Sequence, residues 1–147
     1  MSYETDTVTK LETNLDDLSP EITGAVMARL FAAGALDVWL TPVQMKKNRP
    51  GVMLSVLCEK ATVTALTDLI FAETSAFGLR VEKVVRLKLA RRFAQVNTEF
   101  GEVTVKLGLK GERVVQVAPE FESCRAVAEK AGVPLRAVYA AAIAARR

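Results

Sequence analysis

The segment TNLDDLSPE carries two adjacent carboxylates, Asp16 and Asp17, between a predicted strand and a predicted helix. Adjacent carboxylates repel one another, so a divalent cation shared with a phosphate ligand would stabilise the pair. Magnesium-type sites use one or two carboxylates together with phosphate oxygens. Acidic residues are also favoured before a helix because they interact with its dipole. The residues alone favour helix capping, and metal binding by Asp16 and Asp17 is the alternative interpretation.

The turn MKKNRPG, residues 45–51, brings three basic side chains close together, namely Lys46, Lys47 and Arg49. Lysine and arginine in a glycine-containing turn can hold a phosphate through charge and through fork-like hydrogen bonds. The spacing does not match the phosphate-binding loop GxxxxGK[ST], and a solvated surface turn is the other interpretation. These three residues are candidate phosphate ligands.

The segment ETSAFGLR, residues 73–80, combines hydroxyl groups, a glycine and an arginine near the predicted end of a helix. Thr74, Ser75 and Arg80 could line a ligand site. The same composition is also typical of an ordinary helix end that leads into a strand. Both interpretations stay open on the residues alone.

A basic stretch follows, in which Arg80, Arg86, Lys88 and Arg92 are prominent. Residues 79–110 hold only two aromatic residues, Phe93 and Phe100, so nucleic-acid bases would find few rings to stack on. We therefore expect no nucleic-acid partner. The charges would instead bind a nucleotide or pack on an acidic surface of a neighbouring subunit.

The composition excludes several classes of catalysis. The 147 residues include no histidine, which rules out Ser-His-Asp and Cys-His machinery and histidine metal sites. Acid–base chemistry must then use carboxylates, lysines or a bound ligand, and an oxygen-ligand site suits magnesium or manganese. Cys58 and Cys124 fit neither a disulfide framework nor a zinc motif. Cys58 closes an apolar strand and is expected to be buried and inert.

The overall balance of the chain is that of a globular protein, with a net charge of +3, half of the residues apolar and a quarter charged. No apolar run approaches the ~20 residues that span a bilayer. The polar N-terminus MSYETDTVTK does not resemble a signal peptide. These features predict a cytoplasmic protein without a membrane partner.

Apolar residues are spaced as in strands in some segments and as in helices in others, and these segments follow one another in the order βαββαβ. This order predicts an α+β fold that begins as a ferredoxin-like unit. Ser19 and Pro20 predict the start of the first helix, and Ile22, Val26, Leu30 and Ala33 its buried face. The predicted strands of this unit are 6–14, 35–43, 52–58 and 79–90, and its helices are 20–33 and 61–76.

A small extension with β-strands and two helices is predicted to follow. Its strands are 92–98, 101–108 and 112–118, with turns at Gly101 and at 108–111, and a helix from Pro119 to Ala131 precedes a short alanine-rich helix. The predicted domains are residues 1–92, a ferredoxin-like nucleotide- and metal-binding unit, and residues 93–147, the extension, with one core or nearly so between them. Strand 79–90 is long for its unit, and exposed sheet edges must be covered, so self-association is expected.

Several longer words resemble one family in order and spacing. These words are ETNLDDLSPE, LFAAGALDVWLTPVQMKKNRPG, ETSAFGLR, EFGEVTVKLG and PEFESCRAVAEKAGVPL. Together they resemble the C-terminal domain of the LarC family of nickel insertion proteins, from about residue 8 to residue 140. Leu18 stands where the family usually has methionine, which is a conservative apolar exchange.

The resemblance implies a role in building the nickel-pincer nucleotide cofactor of lactate racemase. Proteins of this family insert nickel into a pyridinium bis-thiocarboxylate mononucleotide and depend on CTP hydrolysis with magnesium or manganese. The resemblance implies that the present domain binds CTP and assembles into a homo-oligomer. It also implies that a longer N-terminal region lies outside this chain, which then corresponds to an excised domain or to half of a split protein.

The candidate residues acquire roles from this resemblance. Asp16 and Asp17 are expected to bind the cation. Lys46, Lys47 and Arg49 are expected to bind the phosphates, and Thr74, Ser75 and Arg80 to contact the base, sugar or phosphate. A non-catalytic ferredoxin-like module that oligomerises or binds a small ligand is the alternative function.

Overall fold

The computed structural model describes residues 3–145 as a mixed α+β chain with two antiparallel sheets. Its elements are β1 (Glu4–Leu15), α1 (Pro20–Ala32), β2 (Asp37–Met45), β3 (Arg49–Cys58), α2 (Val63–Glu73), β4 (Arg80–Lys88), β5 (Ala90–Thr98), β6 (Gly101–Lys110), β7 (Arg113–Pro119), α3 (Phe121–Ala131) and α4 (Leu135–Ala144). The predicted α+β class and the element order βαββαβ are confirmed, and element ends shift by a few residues.

The first sheet has the strand order β2-β3-β1-β4, which is that of a ferredoxin-like unit. Strand β3 lies between β2 and β1 and is antiparallel to both, with Leu11 opposite Val56 and Val56 opposite Val38. Leu54, Val56 and Cys58 of this central strand are buried, whereas Met53 and Leu57 on the opposite face are half-buried. Strand β4 lies beside β1 at the edge of the sheet.

Helix α1 begins as predicted, since the Ser19 hydroxyl accepts a hydrogen bond from the backbone N–H of Glu21 and Pro20 occupies the first turn. Its buried face is Thr23, Val26 and Leu30. The predicted inward positions of Ile22 and Ala33 are wrong. Ile22 is 46% exposed, because the face towards the sheet is centred one position later, where Thr23 satisfies its hydroxyl on the Ser19 carbonyl at 3.1 Å.

The first unit has its own core, in which the apolar residues of α1 and α2 pack on one face of the sheet. Its buried members are Leu11, Leu15, Val26, Leu30, Val38, Leu54, Val56, Cys58, Leu66 and Ile70. A second cluster forms where α3 and α4 pack on the sheet β5-β6-β7. Its buried members are Val96, Val103, Val105, Leu107, Cys124, Ala128, Val138 and Ala142. The expected shared core is therefore replaced by two cores.

Two details of the extension differ from the predictions. Gly108 lies inside β6, at a bulge in its pairing with β7, and the turn follows at Gly111. Pro119 ends β7, and α3 begins at Phe121 because the chain first turns away from the strand at Glu120. Gly108 packs against Leu89 and Gln116 of other segments, and such contacts between strands cannot be seen in the sequence of one strand.

The contacts divide the chain into two compact units, Asp6–Arg86 and a second unit that runs from Leu87 onward and includes the residues before Asp6. The predicted division into domains at residues 92 and 93 stays a prediction, because compactness alone does not show independent folding. No helix within residues 3–145 is both long and apolar enough to cross a bilayer.

Candidate functional site

The first pair of candidate residues meets where β1 ends and β3 begins. Arg49 Nη1 donates a hydrogen bond to Asp16 Oδ2 at 3.3 Å. The Asp16 side chain is 17% exposed, whereas that of Arg49 is 54% exposed. An ion pair this exposed contributes about 0–1 kcal/mol. Arg49 can therefore exchange Asp16 for a phosphate group at little cost in stability.

The second pair joins the loop after β1 to the loop after α2. The Ser75 hydroxyl donates a short hydrogen bond to Asp17 Oδ1. Thr74 instead holds the end of α2, donating to the Ile70 carbonyl at 2.7 Å and accepting from the Ala76 N–H at 3.1 Å. The segment 73–80 is thus both a helix end and a neighbour of the aspartate pair, so the two interpretations of this segment are compatible.

Arg80 contacts strand β1 itself, a few residues before the aspartate pair. Its Nη2 donates to Asn14 Oδ1 at 2.6 Å, and its Nε lies 3.6 Å from Glu12 Oε2. The Thr13 hydroxyl donates to the Gly78 carbonyl at 3.0 Å, which fixes the loop before β4 against β1. These contacts place Arg80 and the loop before it along the last residues of β1.

The basic turn between β2 and β3 is a tight three-residue connection. Lys47 and Asn48 both have left-handed backbones, with φ of 59° and 58°. Gln44 Nε2 donates to Asn48 Oδ1 at 3.1 Å, which braces the turn. Lys46 and Lys47 are exposed and form no ion pair within residues 3–145. Their ammonium groups are therefore available, but the structure does not bring them onto the aspartates as it does Arg49.

A cavity of about 300 Å³ opens beside Asp16. Its walls are mostly apolar, with Leu18, Leu40 and Val52 among the lining residues and Thr23 as a further polar contact. Gly51 lines it where β3 passes close to β1, since a Cβ at Gly51 would lie 2.6 Å from the Leu15 carbonyl oxygen. Small-ligand pockets combine apolar walls with a few polar groups in this way.

The nickel insertion protein family matches residues 1–139 of the chain. The chain belongs to the nickel insertion protein family. A pyridinium-3,5-bisthiocarboxylic acid mononucleotide nickel insertion protein of Acetivibrio thermocellus is 49% identical over 134 residues, which are 91% of this chain and 33% of the relative. A Clostridium acetobutylicum protein of the same description is 46% identical over 131 residues, 89% of this chain and 31% of its own. The chain thus spans about a third of the length of these curated relatives.

Solved structures agree with the family. LarC2, described as the C-terminal domain of a cyclometallase involved in the synthesis of the NPN cofactor of lactate racemase, in its apo form, superposes with a TM-score of 0.91 at 39% identity. That match covers 97% of this chain and 99% of the other. A Methanopyrus kandleri protein superposes with a TM-score of 0.70 at 30% identity, covering 97% and 90% of the two chains. The predicted resemblance to the C-terminal domain of the LarC family is confirmed.

The donor set of this nickel insertion family member suits a cation that is shared with phosphates. Within residues 3–145 no three histidine, cysteine, aspartate or glutamate side chains cluster closely enough to form a metal cage. Two adjacent carboxylates fit the alternative, because Mg²⁺ keeps several waters and takes the rest of its ligands from one or two carboxylates and from phosphate. Asp16 and Asp17 are therefore the residues here that could hold such a cation.

The basic stretch has a structural role in the part of the chain described. Arg86 donates two hydrogen bonds to Asp6, at 3.0 and 2.7 Å, and this contact raises the pKa of Arg86. Arg80 is held by Asn14 and Glu12. Two of the four charges first singled out thus stabilise the pairing of β4 with β1.

Neither cysteine belongs to the site. Cys58 and Cys124 are fully buried, one in each core. Burial raises the pKa of both thiols, so the reactive thiolate is disfavoured. The predicted burial of Cys58 is confirmed.

Sequence reasoning missed the polar residues on β1 that orient Arg80, namely Glu12 and Asn14. The alternation of β1 already indicates them, because Leu11, Thr13 and Leu15 face the core and the residues between them must face the other way. Their partners on β4 depend on strand order, which the sequence alone does not fix.

Proposed function

We propose that this chain is the nucleotide-binding domain of a nickel insertase and that it binds CTP with Mg²⁺ or Mn²⁺. The longer protein would insert nickel into a pyridinium-3,5-bisthiocarboxylic acid mononucleotide, as the names of the relatives describe. The proposal assigns nickel as the inserted substrate metal rather than a resident ion. The part of the protein that delivers nickel would belong to the segment that this chain does not span.

Two polar pairs that follow the end of β1, one of them at a cavity, carry the proposal. Asp16 lines a space of about 300 Å³ with mostly apolar walls and pairs with Arg49, and the adjacent Asp17 pairs with Ser75. Carboxylates for a cation, a guanidinium for phosphate and an apolar slot for a ring are the groups that a metal–nucleotide requires. Each pair comes from segments far apart in sequence that the ferredoxin-like unit brings together.

Each side chain then has a separable role. Arg49 would transfer from Asp16 to a phosphate, which leaves the Asp16 carboxylate available to the cation. Lys46 and Lys47 would add charge from the exposed turn, and Ser75 and Arg80 would contact the nucleotide by giving up their present partners. A bound Mg²⁺ or Mn²⁺ would neutralise and polarise the phosphate oxygens. Thr74 is a further candidate contact, although its hydroxyl is already used at the end of α2.

Isothermal titration with CTP, in the presence and absence of Mn²⁺, tests this proposal. The double variant Asp16→Asn with Asp17→Asn should lose the metal dependence of binding, whereas Lys46→Ala with Arg49→Ala should weaken binding with or without metal. Asp68→Asn, an exposed acid on α2 away from the site, is the matched control. A thermal shift that rises with metal and CTP, and less with ATP, would support selection of cytosine. If the aspartate variant binds Mn²⁺–CTP as the parent does, the carboxylates serve only their structural contacts with Arg49 and Ser75.

The alternative of an oligomerisation module is favoured by one separate observation. Several large apolar side chains on and before β4 are exposed, with Phe77 fully exposed, Val81 60% exposed and Val85 63% exposed. Strand β4 is also an edge of its sheet, and such edges template pairing with another chain. A second copy of this chain would cover both the apolar side chains and the edge.

Light scattering decides whether the chain self-associates. The parent should form an oligomer, and Val81→Lys with Val85→Lys should reduce it towards the 16.0 kDa monomer. Glu112→Lys, an exposed change in the turn before β7, should leave the mass of the assembly unchanged. A parent that scatters as a monomer at high concentration would exclude the second copy as a partner.

A further inference from the structure

The second unit carries a ligand-sized cavity that the proposed CTP site does not use. Val103, Val105 and Leu107 of β6 face α3 and α4, so Lys106 and Gly108 point to the opposite face. The strand register places Arg91 and Gln116 on either side of Gly108, and Phe93 and Ala118 on either side of Lys106. We call these six residues the open face of the second sheet.

Gly108 shapes the floor of this open face. A Cβ at position 108 would lie 2.8 Å from Leu89 Cδ1 and 3.0 Å from Gln116 Cβ, so Leu89 packs directly on the glycine backbone. The cavity formed around this contact has a volume of about 320 Å³. That value lies within the range of roughly 300–1,000 Å³ for small-ligand pockets.

The cavity is lined by three cationic side chains, Lys88, Arg91 and Lys106. Lys106 Nζ lies 3.4 Å from Glu120 Oε1, and this carboxylate offsets one of the charges. Arg91 forms no ion pair within residues 3–145 and is exposed. An apolar floor with the exposed Arg91 guanidinium beside it is complementary to a ring that bears anionic groups.

An exposed aromatic side chain extends this face. Phe93 is 61% exposed and lies directly opposite Lys106 on the neighbouring strand. The face of a phenyl ring attracts a cationic ring placed over it, and aromatic rings also stack on one another. A pyridinium ring satisfies both preferences, and its acidic substituents would reach Arg91 and Lys106.

We propose that the open face of the second sheet binds the pyridinium mononucleotide, the substrate class of the proposed function, at a site distinct from the CTP site. This inference rests on the proposed function for the identity of the ligand. Arg91 and Lys106 bind its phosphate and acidic groups, and Phe93 stacks on its cationic ring. The chain then holds the nucleotide that supplies energy and the nucleotide that receives nickel on separate units.

Nicotinic acid mononucleotide is a suitable probe because it carries a pyridinium ring, a carboxylate and a phosphate. Isothermal titration should show binding to the full chain, and Arg91→Gln or Lys106→Gln should each weaken it about tenfold, as expected for the loss of one charge-assisted hydrogen bond. Arg92→Gln is the matched control, because Arg92 lies opposite the core residue Leu107 and not on the open face. Equal weakening by all three variants would mean a diffuse charge effect and would overturn the site.

Two further measurements locate the probe and identify its ring. Hydrogen exchange should slow in β6 around Gly108 on binding, whereas slowing confined to Asp6–Arg86 would contradict the proposal. The parent should prefer nicotinic acid mononucleotide over uridine monophosphate, whose ring is neutral, and Phe93→Leu should reduce that preference. A merely structural Phe93 would change both affinities by the same factor.

The outcome is separable from that of the CTP site. Asp16→Asn with Asp17→Asn should leave binding of nicotinic acid mononucleotide unchanged, and CTP should not displace this probe. If CTP fails to bind but the probe binds at the open face, the nucleotide assignment of the first unit fails alone. If CTP binds at the aspartates and the probe does not bind at all, the present inference is wrong.

Discussion

The two units use the charges of their strands differently. In the first unit the charges of β1 and β4 bind one another, through the ion pairs Lys10–Glu12, Lys10–Glu82, Arg80–Glu12 and Arg86–Asp6. In the second unit Arg91 has no such partner among the described residues, and Phe93 beside it is exposed. The first unit therefore pairs these strand charges with one another and has its candidate ligand groups at the end of its sheet. In the second unit Lys106 pairs with Glu120, and Arg91 stays exposed on a sheet face.

The largest effect that we expect concerns the reactivity of the two buried thiols, which tests whether the two units have separate cores. Cys58 and Cys124 are each fully buried, one per core. Because burial raises the pKa of both thiols and excludes reagent, each should react with iodoacetamide at least about a thousandfold more slowly than in the unfolded chain, as expected for a domain stable by ~5–15 kcal/mol. Mass spectrometry of labelled peptides measures both rates in one experiment.

A urea titration of the same labelling sharpens the comparison. Units with separate cores should open at different urea concentrations, so the two thiols should become reactive at different midpoints. Cys124→Ala provides the control that assigns each rate to its thiol. Identical midpoints under all conditions would show that the two cores open as one cooperative unit.

Much of the first unit could be predicted from the sequence, because its information is local. Ser19 and Pro20 mark the start of α1, and the apolar run of β3 marks a central strand. The contacts of Asp16 with Arg49 and of Asp17 with Ser75 could not be derived in this way. They depend on strand order and loop paths, which arise from tertiary packing.

The exposure of Val81 and Val85 also depends on tertiary structure and could not be predicted from the sequence. They lie on β4 at the edge of its sheet, and their exposure follows from which surfaces the neighbouring elements cover. Gly108 looks like a turn residue in the sequence, whereas in the structure it accommodates Leu89 from a neighbouring segment. Such roles belong to pairs of strands and are not visible in one strand.

Alanine substitution of one glycine at each candidate site should have the next largest effect, which is a change in the free energy of unfolding. A Cβ at Gly51 would meet a backbone oxygen, Leu15 O at 2.6 Å, whereas a Cβ at Gly108 would meet the side chains of Leu89 and Gln116. The nearest atom at Gly108, Leu89 Cδ1, is the end of a side chain that can move aside, whereas a paired backbone cannot. Gly51→Ala should therefore cost about 3 kcal/mol and Gly108→Ala about 1 kcal/mol, the two ends of the usual range for overpacking. Urea denaturation measures both changes in the free energy of unfolding.

Gly78→Ala is the control for these variants, since a Cβ there would meet nothing within 4 Å. Its free energy of unfolding should change least. A larger loss at Gly108 than at Gly51 would reverse the comparison and show that the second site is the more rigid of the two.

The smallest effect that we expect is a loss of stability at low pH, and it should appear in the first unit. The hydrogen bond from Lys10, aided by Arg80, holds the pKa of Glu12 below its ordinary value of 4.5, although desolvation opposes this shift. A carboxyl whose pKa is lower in the folded state stabilises that state above its unfolded pKa, and the contribution is lost as the pH falls through the folded pKa. The pKa of Lys10 is raised by Glu12 and Glu82, so its own contribution is lost only in strong alkali.

Hydrogen exchange of β1 and β3, followed from about pH 7 to about pH 3 after correction for intrinsic rates, measures this loss. The parent should lose protection in these strands as the pH falls below 4.5, and Glu12→Gln should lose less because it has no proton to gain. Glu99→Gln, an exposed change in the turn between β5 and β6, should follow the parent. If Glu12→Gln loses as much protection as the parent, other carboxylates cause the acid sensitivity, and the ion pairs of β1 and β4 do not stabilise the first sheet as the comparison requires.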